Sequence, residues 1–162
     1  MRLVLGLVVV LALGCGGTDI EGMYQVTSHT FAEGCGTEVA ATGEPYFRIE
    51  QTDFFGQDVQ IPHECETTSV DTCTGFGFFA LLAEEIDSGY RGTASLASGG
   101  GATCALSYYV YTATLDGDVL TFHAEQYGET VTSATCDADE ATNRGTDMPC
   151  VSTETIVGTR VE

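Results

Sequence analysis

The sequence predicts an all-β domain: an antiparallel up-and-down meander of about eight strands, closed as a barrel or packed as a sandwich, and stapled by disulfides. Three observations lead there. Apolar and polar residues alternate with period two through most of the chain, the mark of half-buried strands. Turn signals punctuate these runs, and the clearest is Asp116-Gly117, a strong short-range hairpin signal. Seven cysteines are spread through 162 residues: Cys15, Cys35, Cys65, Cys73, Cys104, Cys136 and Cys150.

Taken in order, strands are expected near 22–29, 46–51, 57–61, 75–83, 90–97, 102–115, 119–127, 129–135 and 153–161. Phe47 and Ile49 alternate with Arg48 and Glu50, and Val59 and Ile61 with Asp58 and Gln60. Leu120, Phe122 and Ala124 alternate with Thr121, His123 and Glu125. Ala80–Ile86 is the best helical candidate, although Phe76–Leu82 reads equally well as a buried strand. Asp87-Ser88-Gly89 and Ser98-Gly99-Gly100-Gly101 are further breaks. Consecutive hairpins over residues 90–127 favour an up-and-down barrel, because neighbours in sequence then pair in space.

The first residues are of another kind. Met1-Arg2 precedes an apolar run, Leu3–Leu13, too short to span a bilayer as a helix, which takes about 20 residues. That length suits the h-region of a signal peptide. The residues Ala12-Leu13-Gly14-Cys15 resemble the lipobox of bacterial lipoproteins. The resemblance implies a diacylglyceryl group on the Cys15 thiol, cleavage after Gly14 and acylation of the new amine. Residues 1–14 would be the signal peptide, 15–21 the lipidated cysteine and its tether, and 22–162 a single β domain. Gly16 follows the cysteine, and by the sorting habit of that family the absence of Asp there implies the outer membrane, facing periplasm or exterior.

Assigning Cys15 to the lipid leaves six cysteines. An exported chain meets an oxidising compartment, so three disulfides are expected. Cys65 and Cys73 bracket one polar loop, and Cys136 and Cys150 another. Each pair is expected to close its own loop, leaving Cys35 to join Cys104. A zinc site using His63 beside Cys65 lacks the spacing of structural zinc patterns.

Charge narrows the partners. The chain has 24 acidic residues, five arginines, no lysine and a net charge of −19. Nucleic acid is excluded as a partner, since binding it depends on cationic side chains neutralising phosphates. Anionic headgroups would also repel this surface, so attachment to the membrane is expected through the lipid anchor on Cys15.

Gly22-Met23-Tyr24 and the closing run Ile156–Val161 resemble the ends of lipocalin-type barrels. Those barrels begin with a Gly-x-Trp strand and return the last strand beside the first; here Tyr stands for Trp. In such a barrel two aromatic clusters draw notice. On strand alternation Phe76 and Phe78 share a face opposite Phe79, and Tyr109 and Tyr111 share a face opposite Tyr108. Phe76, Phe78, Tyr109 and Tyr111 are therefore candidate ligand-binding residues for a small apolar molecule, although the same rings also suit a plain core. The acidic loop holding Asp137, Asp139 and Asp147 is a candidate calcium site that departs from the EF-hand pattern. No Gly-x-Ser-x-Gly elbow occurs and the three histidines are scattered, so no catalytic set and no cofactor is assigned. The expected role is a non-enzymatic, membrane-anchored envelope lipoprotein, acting as a structural or interaction module. The alternative is a small apolar ligand-binding barrel.

Overall fold

The computed structural model describes residues 18–77, 80–100, 102–132 and 136–161. The expected signal peptide, Cys15, Phe78 and Phe79 lie outside the described residues. Ten strands form one antiparallel sheet: β1 (Gly22–Glu33), β2 (Val39–Ala40), β3 (Tyr46–Phe54), β4 (Gln57–Cys65), β5 (Cys73–Gly75), β6 (Glu84–Ile86), β7 (Gly89–Gly100), β8 (Thr103–Asp116), β9 (Val119–Thr132) and β10 (Cys150–Arg160). Among the described residues one α-helix, α1 (Ala138–Arg144), interrupts them.

Strands run across the sheet as β5-β4-β3-β1-β10-β9-β8-β7-β6, with β2 added on β1. Every sequential hairpin is thus up-and-down. The last strand lies beside the first, paired from Tyr24 opposite Arg160 to Glu33 opposite Ser152 with a one-residue shift between Val26 and Ser28. The sheet is not closed by a continuous ladder. Its two ends are bridged once, where Gln60 and Leu82 exchange two backbone hydrogen bonds of 2.9 Å. Gly92 on β7 lets the Leu81–Leu82 stretch lie close against that strand. A β-carbon there would overlap the Leu81 carbonyl oxygen, so a larger residue would push Leu81 and Leu82 off β7.

Curling brings the inward faces of distant strands together. Tyr24 on β1, Phe47 and Ile49 on β3, Tyr111 and Ala113 on β8, Leu120 and Phe122 on β9 and Ile156 on β10 form one buried cluster. The end where the chain enters is sealed. Arg160 stacks over the Tyr24 ring at 5.5 Å and donates to the Asp19 carbonyl at 2.8 Å, while the Tyr24 hydroxyl donates to the Ile20 carbonyl at 2.7 Å.

Several expectations are corrected. Residues 119–127 and 129–135 are not two strands; β9 runs unbroken to Thr132 through Gly128. Residues 75–83 are not one strand, and Ala80–Ile86 is not a helix. That stretch leaves β4 after Gly75, bridges the seam at Leu82 and joins β7 as β6. The acidic loop, expected without structure, holds α1. Asp137 caps this helix by accepting from the Glu140 amide at 3.0 Å, a favoured N-cap arrangement. Arg144 at its other end pairs with Glu129 at 2.7 Å and Glu140 at 2.8 Å.

The helix also explains the disulfides. Cys65 joins Cys73 as expected, but the other two pairs are Cys104–Cys136 and Cys35–Cys150, not Cys35–Cys104 and Cys136–Cys150. α1 packs against β7 and β8, over a small second core holding Cys104, Leu106, Ala141 and Met148. This lays Cys136 on β8 beside Cys104. Cys150 opens β10, next to the end of β1, where Cys35 follows two residues after Glu33.

The loop after Cys35 is fastened by Glu38, whose carboxylate accepts from the Thr30 hydroxyl and from the Thr155 hydroxyl, the latter at 2.9 Å. The Thr30 bond chiefly holds this carboxyl below the usual carboxylate range; burial opposes it, and Thr155 and nearby His123 reinforce it. A depressed carboxyl stabilises the fold above its unfolded pKa and loses that stabilisation as pH falls through the folded value. Glu38→Gln is therefore expected to narrow its stability gap to the unaltered protein as pH falls from about 5. Urea titrations across that range read the gap, and a constant gap would contradict the assignment.

Candidate functional site

Beyond the sealed end, the interior of the curled sheet opens into a cavity of about 340 Å³. Small-molecule pockets span about 300–1,000 Å³. Its walls come from the end of β4, the middle of β8 and β9 and the early residues of β10, so on β10 it lies toward the opposite end from Arg160.

Its floor and one wall are aromatic. Phe76 meets Phe122 edge-on at 4.8 Å and Phe47 at 5.9 Å. Tyr111 stacks with Phe122 at 6.2 Å, and Tyr109 stacks with Tyr111 at 6.1 Å with the planes only 6° apart. Alternation along β8 produces this row: Tyr109, Tyr111 and Ala113 face inward, while Tyr108 packs against the second core under α1. Three of the four candidate ligand-binding residues, Phe76, Tyr109 and Tyr111, line the cavity together; the fourth, Phe78, lies outside the described residues. The two tyrosines differ. Tyr111 is 2% exposed and belongs to the packed floor, and burial pushes its phenol well above the ordinary value, so it stays neutral. Tyr109 is only partly buried and borders the open space.

Beside the tyrosines the lining turns polar. Gln126 donates to the Tyr109 hydroxyl at 3.3 Å and accepts from Ser152 at 3.5 Å. Glu64 on β4 and Glu154 on β10 also line the space. His29 Nε2 meets Glu154 Oε1 at 2.6 Å and packs against Gly43, where a β-carbon would overlap the imidazole. Burial pushes the Glu64 carboxyl above its usual range; Glu154 and Glu44 add to the rise, and His29 opposes it.

Glu64, Gln126, Glu154 and His29 were not singled out from the sequence. For Gln126 and Glu154 a signal existed: each shares a face with apolar residues of its strand, Gln126 with Leu120, Phe122 and Ala124 and Glu154 with Ile156, whereas Glu64 shares the face of Asp58 and Gln60 and gave none. For His29 the signal was inverted. Tyr24 and Val26 face inward, so strict alternation turns His29 outward. A bulge between Val26 and Ser28 shifts the register by one residue and turns His29 in, as one-residue slips do.

The calcium candidate does not assemble. Asp137 is occupied as a helix cap. Among the described residues no three His, Cys, Asp or Glu side chains gather as a metal site would need, Asp137, Asp139 and Asp147 included. Compared with known proteins, the chain matches no family model, no curated protein and no solved structure.

Proposed function

We propose that this protein is a lipid-anchored binding protein of the bacterial envelope, whose curled sheet holds a small molecule in the cavity between Phe76, Tyr109 and Tyr111. The cavity carries the reading. It is concave, partly aromatic, and furnished beside the rings with convergent polar groups, the composition expected of ligand pockets. Two disulfides flank its rim: Cys65–Cys73 follows Glu64 directly, and Cys35–Cys150 precedes Ser152. A braced rim lowers the ordering cost of binding.

The lipobox-like segment supplies the anchor, and the geometry of the domain suits it. Residues 16–21 reach at most about 20 Å when extended, so the end of the sheet that receives the chain would face the bilayer. On β10 the cavity residues Ser152 and Glu154 lie toward the opposite end of the strand from Arg160, so the cavity would sit away from the bilayer. Each buried methylene contributes about 0.8 kcal/mol, so the acyl chains on Cys15 would hold the domain despite its negative charge. Intact mass of the exported protein tests this. The expected species begins at Cys15 and carries the lipid, and Cys15→Ser leaves an uncut or wrongly cut precursor. Cleavage elsewhere with Cys15 unmodified would remove the anchor from the account.

One observation favours the other reading, an interaction module. The turn between β3 and β4 exposes Phe54 and Phe55, the latter 94% exposed, with rings in edge contact at 4.7 Å. This tip projects at the same end as the chain's start, since Gly22 pairs with Ile49. A bound small molecule distinguishes the readings, because an interaction module has no use for the cavity.

A further inference from the structure

We propose that the cavity selects an organic cation: an amine whose apolar body lies along Phe76, Tyr109 and Tyr111 and whose ammonium group is held by Glu64 and Glu154. The inference rests on the binding function proposed above and names its ligand class.

The charges on the walls are all of one sign. No arginine of the described residues lines the cavity. Arg48 pairs with Glu50 at 2.8 Å, Arg144 with Glu129 and Glu140, and Arg160 is spent on the sealed end. The chain has no lysine to supply a countercharge. A carboxylate ligand would therefore meet three glutamates, Glu64, Glu125 and Glu154, with no arginine or lysine beside them among the described residues. An ammonium would meet the reverse.

The aromatic wall favours the same sign. Ring faces carry negative potential and attract cations within about 6 Å of the centroid. Tyr109 and Tyr111 are nearly parallel neighbours, and Tyr109 borders the open space, so a ligand lying on it has a π face beneath and shares the cavity with the carboxylates. The protein's field adds to this. A net charge of −19 raises the local concentration of cations at an acidic cleft.

A neutral apolar guest explains the rings but not the carboxylates. Glu64 is partly withdrawn from water and faces Glu154, an arrangement that costs stability unless a positive charge relieves it. His29 engages Glu154 through Oε1, which fixes that side chain and leaves Oε2 to meet the ligand. The polar chain from Ser152 through Gln126 to Tyr109 orients the guest without contributing charge.

The test uses matched probes on the full-length chain in a neutral detergent, with detergent alone as the blank. Tryptamine, tryptophol and indole-3-acetate share one ring system and differ in charge; decylamine, decanol and decanoate do the same with an alkyl body. Calorimetric titration of each should give amine affinity at least about tenfold above the matched alcohol in one series or both, with the acid weakest. Glu64→Gln and Glu154→Gln should each pull the amine-to-alcohol ratio toward one, and the double variant should bring it there. Because the readout is a ratio within one variant, loss of folded protein does not mimic the result. Alcohols that bind as well as or better than the amines would overturn the cation assignment while leaving the cavity as a binding site. An amine preference that survives the double variant would place the cation elsewhere and likewise overturn it. Absence of binding by all six probes would overturn both the assignment and the binding function beneath it.

Discussion

Tyr111→Ala is expected to destabilise the domain by about 3–5 kcal/mol, and Tyr109→Ala, two residues away on the same face of β8, by well under half of that. The contrast follows from where each ring ends. Tyr111 is buried in the floor of the cavity, stacked on Phe122. Its removal leaves a hole in a packed cluster that Tyr24, Phe47 and Phe76 also build. Large-to-small changes in such places lose both transfer energy and the contacts across the new void. Tyr109 faces space that is already open, so its loss removes a wall without emptying a core. Denaturant unfolding with unchanged slope measures both. Equal large costs at the two positions would mean that the space between them is filled core, and the cavity would leave the account.

Loss of the Cys35–Cys150 bridge is expected to cost about 4–5 kcal/mol, against about 2.5 for the Cys65–Cys73 bridge. The larger bridge joins residues 115 apart, the smaller residues 8 apart. Loop-closure entropy grows with the logarithm of loop length. The other two bridges lie inside the long loop and shorten its effective length, which lowers the figure only slightly for the same reason. Paired Cys→Ala variants, compared in urea, give the two numbers. A Cys35/Cys150 variant less affected than the Cys65/Cys73 variant would contradict the pairing or the loop-closure account of it.

Much of this architecture was legible in the sequence, and the failures have identifiable causes. Period-two alternation located β3, β4 and β9, and Asp116-Gly117 located the β8–β9 hairpin, with Gly117 at φ 60°. The adjacency of β1 and β10 followed from the resemblance at the chain's two ends. The disulfide pairing could have followed from that same adjacency: Cys35 lies just past the end of β1 and Cys150 at the start of β10, so strands paired antiparallel must bring them together. Loop proximity in sequence, on which the expected pairing rests, holds only for Cys65–Cys73, where the two strands are themselves a hairpin. α1 was missed because a seven-residue helix shows less than two turns of apolar spacing; its legible signal was the capping pattern, Asp137 followed three residues later by Glu140.

The site divides the same way. Tyr109, Tyr111 and Phe76 could be placed on inward faces because alternation is a local property. Which strand each face would meet is not local. Glu64 and Glu154 converge only because the sheet curls until β4 and β10 stand across one interior, and His29 joins them only through a bulge that no alternation rule announces.

The most direct test of the central claim is a nitrogen–proton correlation spectrum of the labelled protein, followed as tryptamine is added. The account predicts shifts that saturate together and cluster at Glu64, Phe76, Tyr109, Gln126, Ser152 and Glu154, with Phe54, Phe55 and the sealed end around Tyr24 unmoved. Shifts confined to the β3–β4 tip, or spread over the acidic surface without saturation, would contradict it.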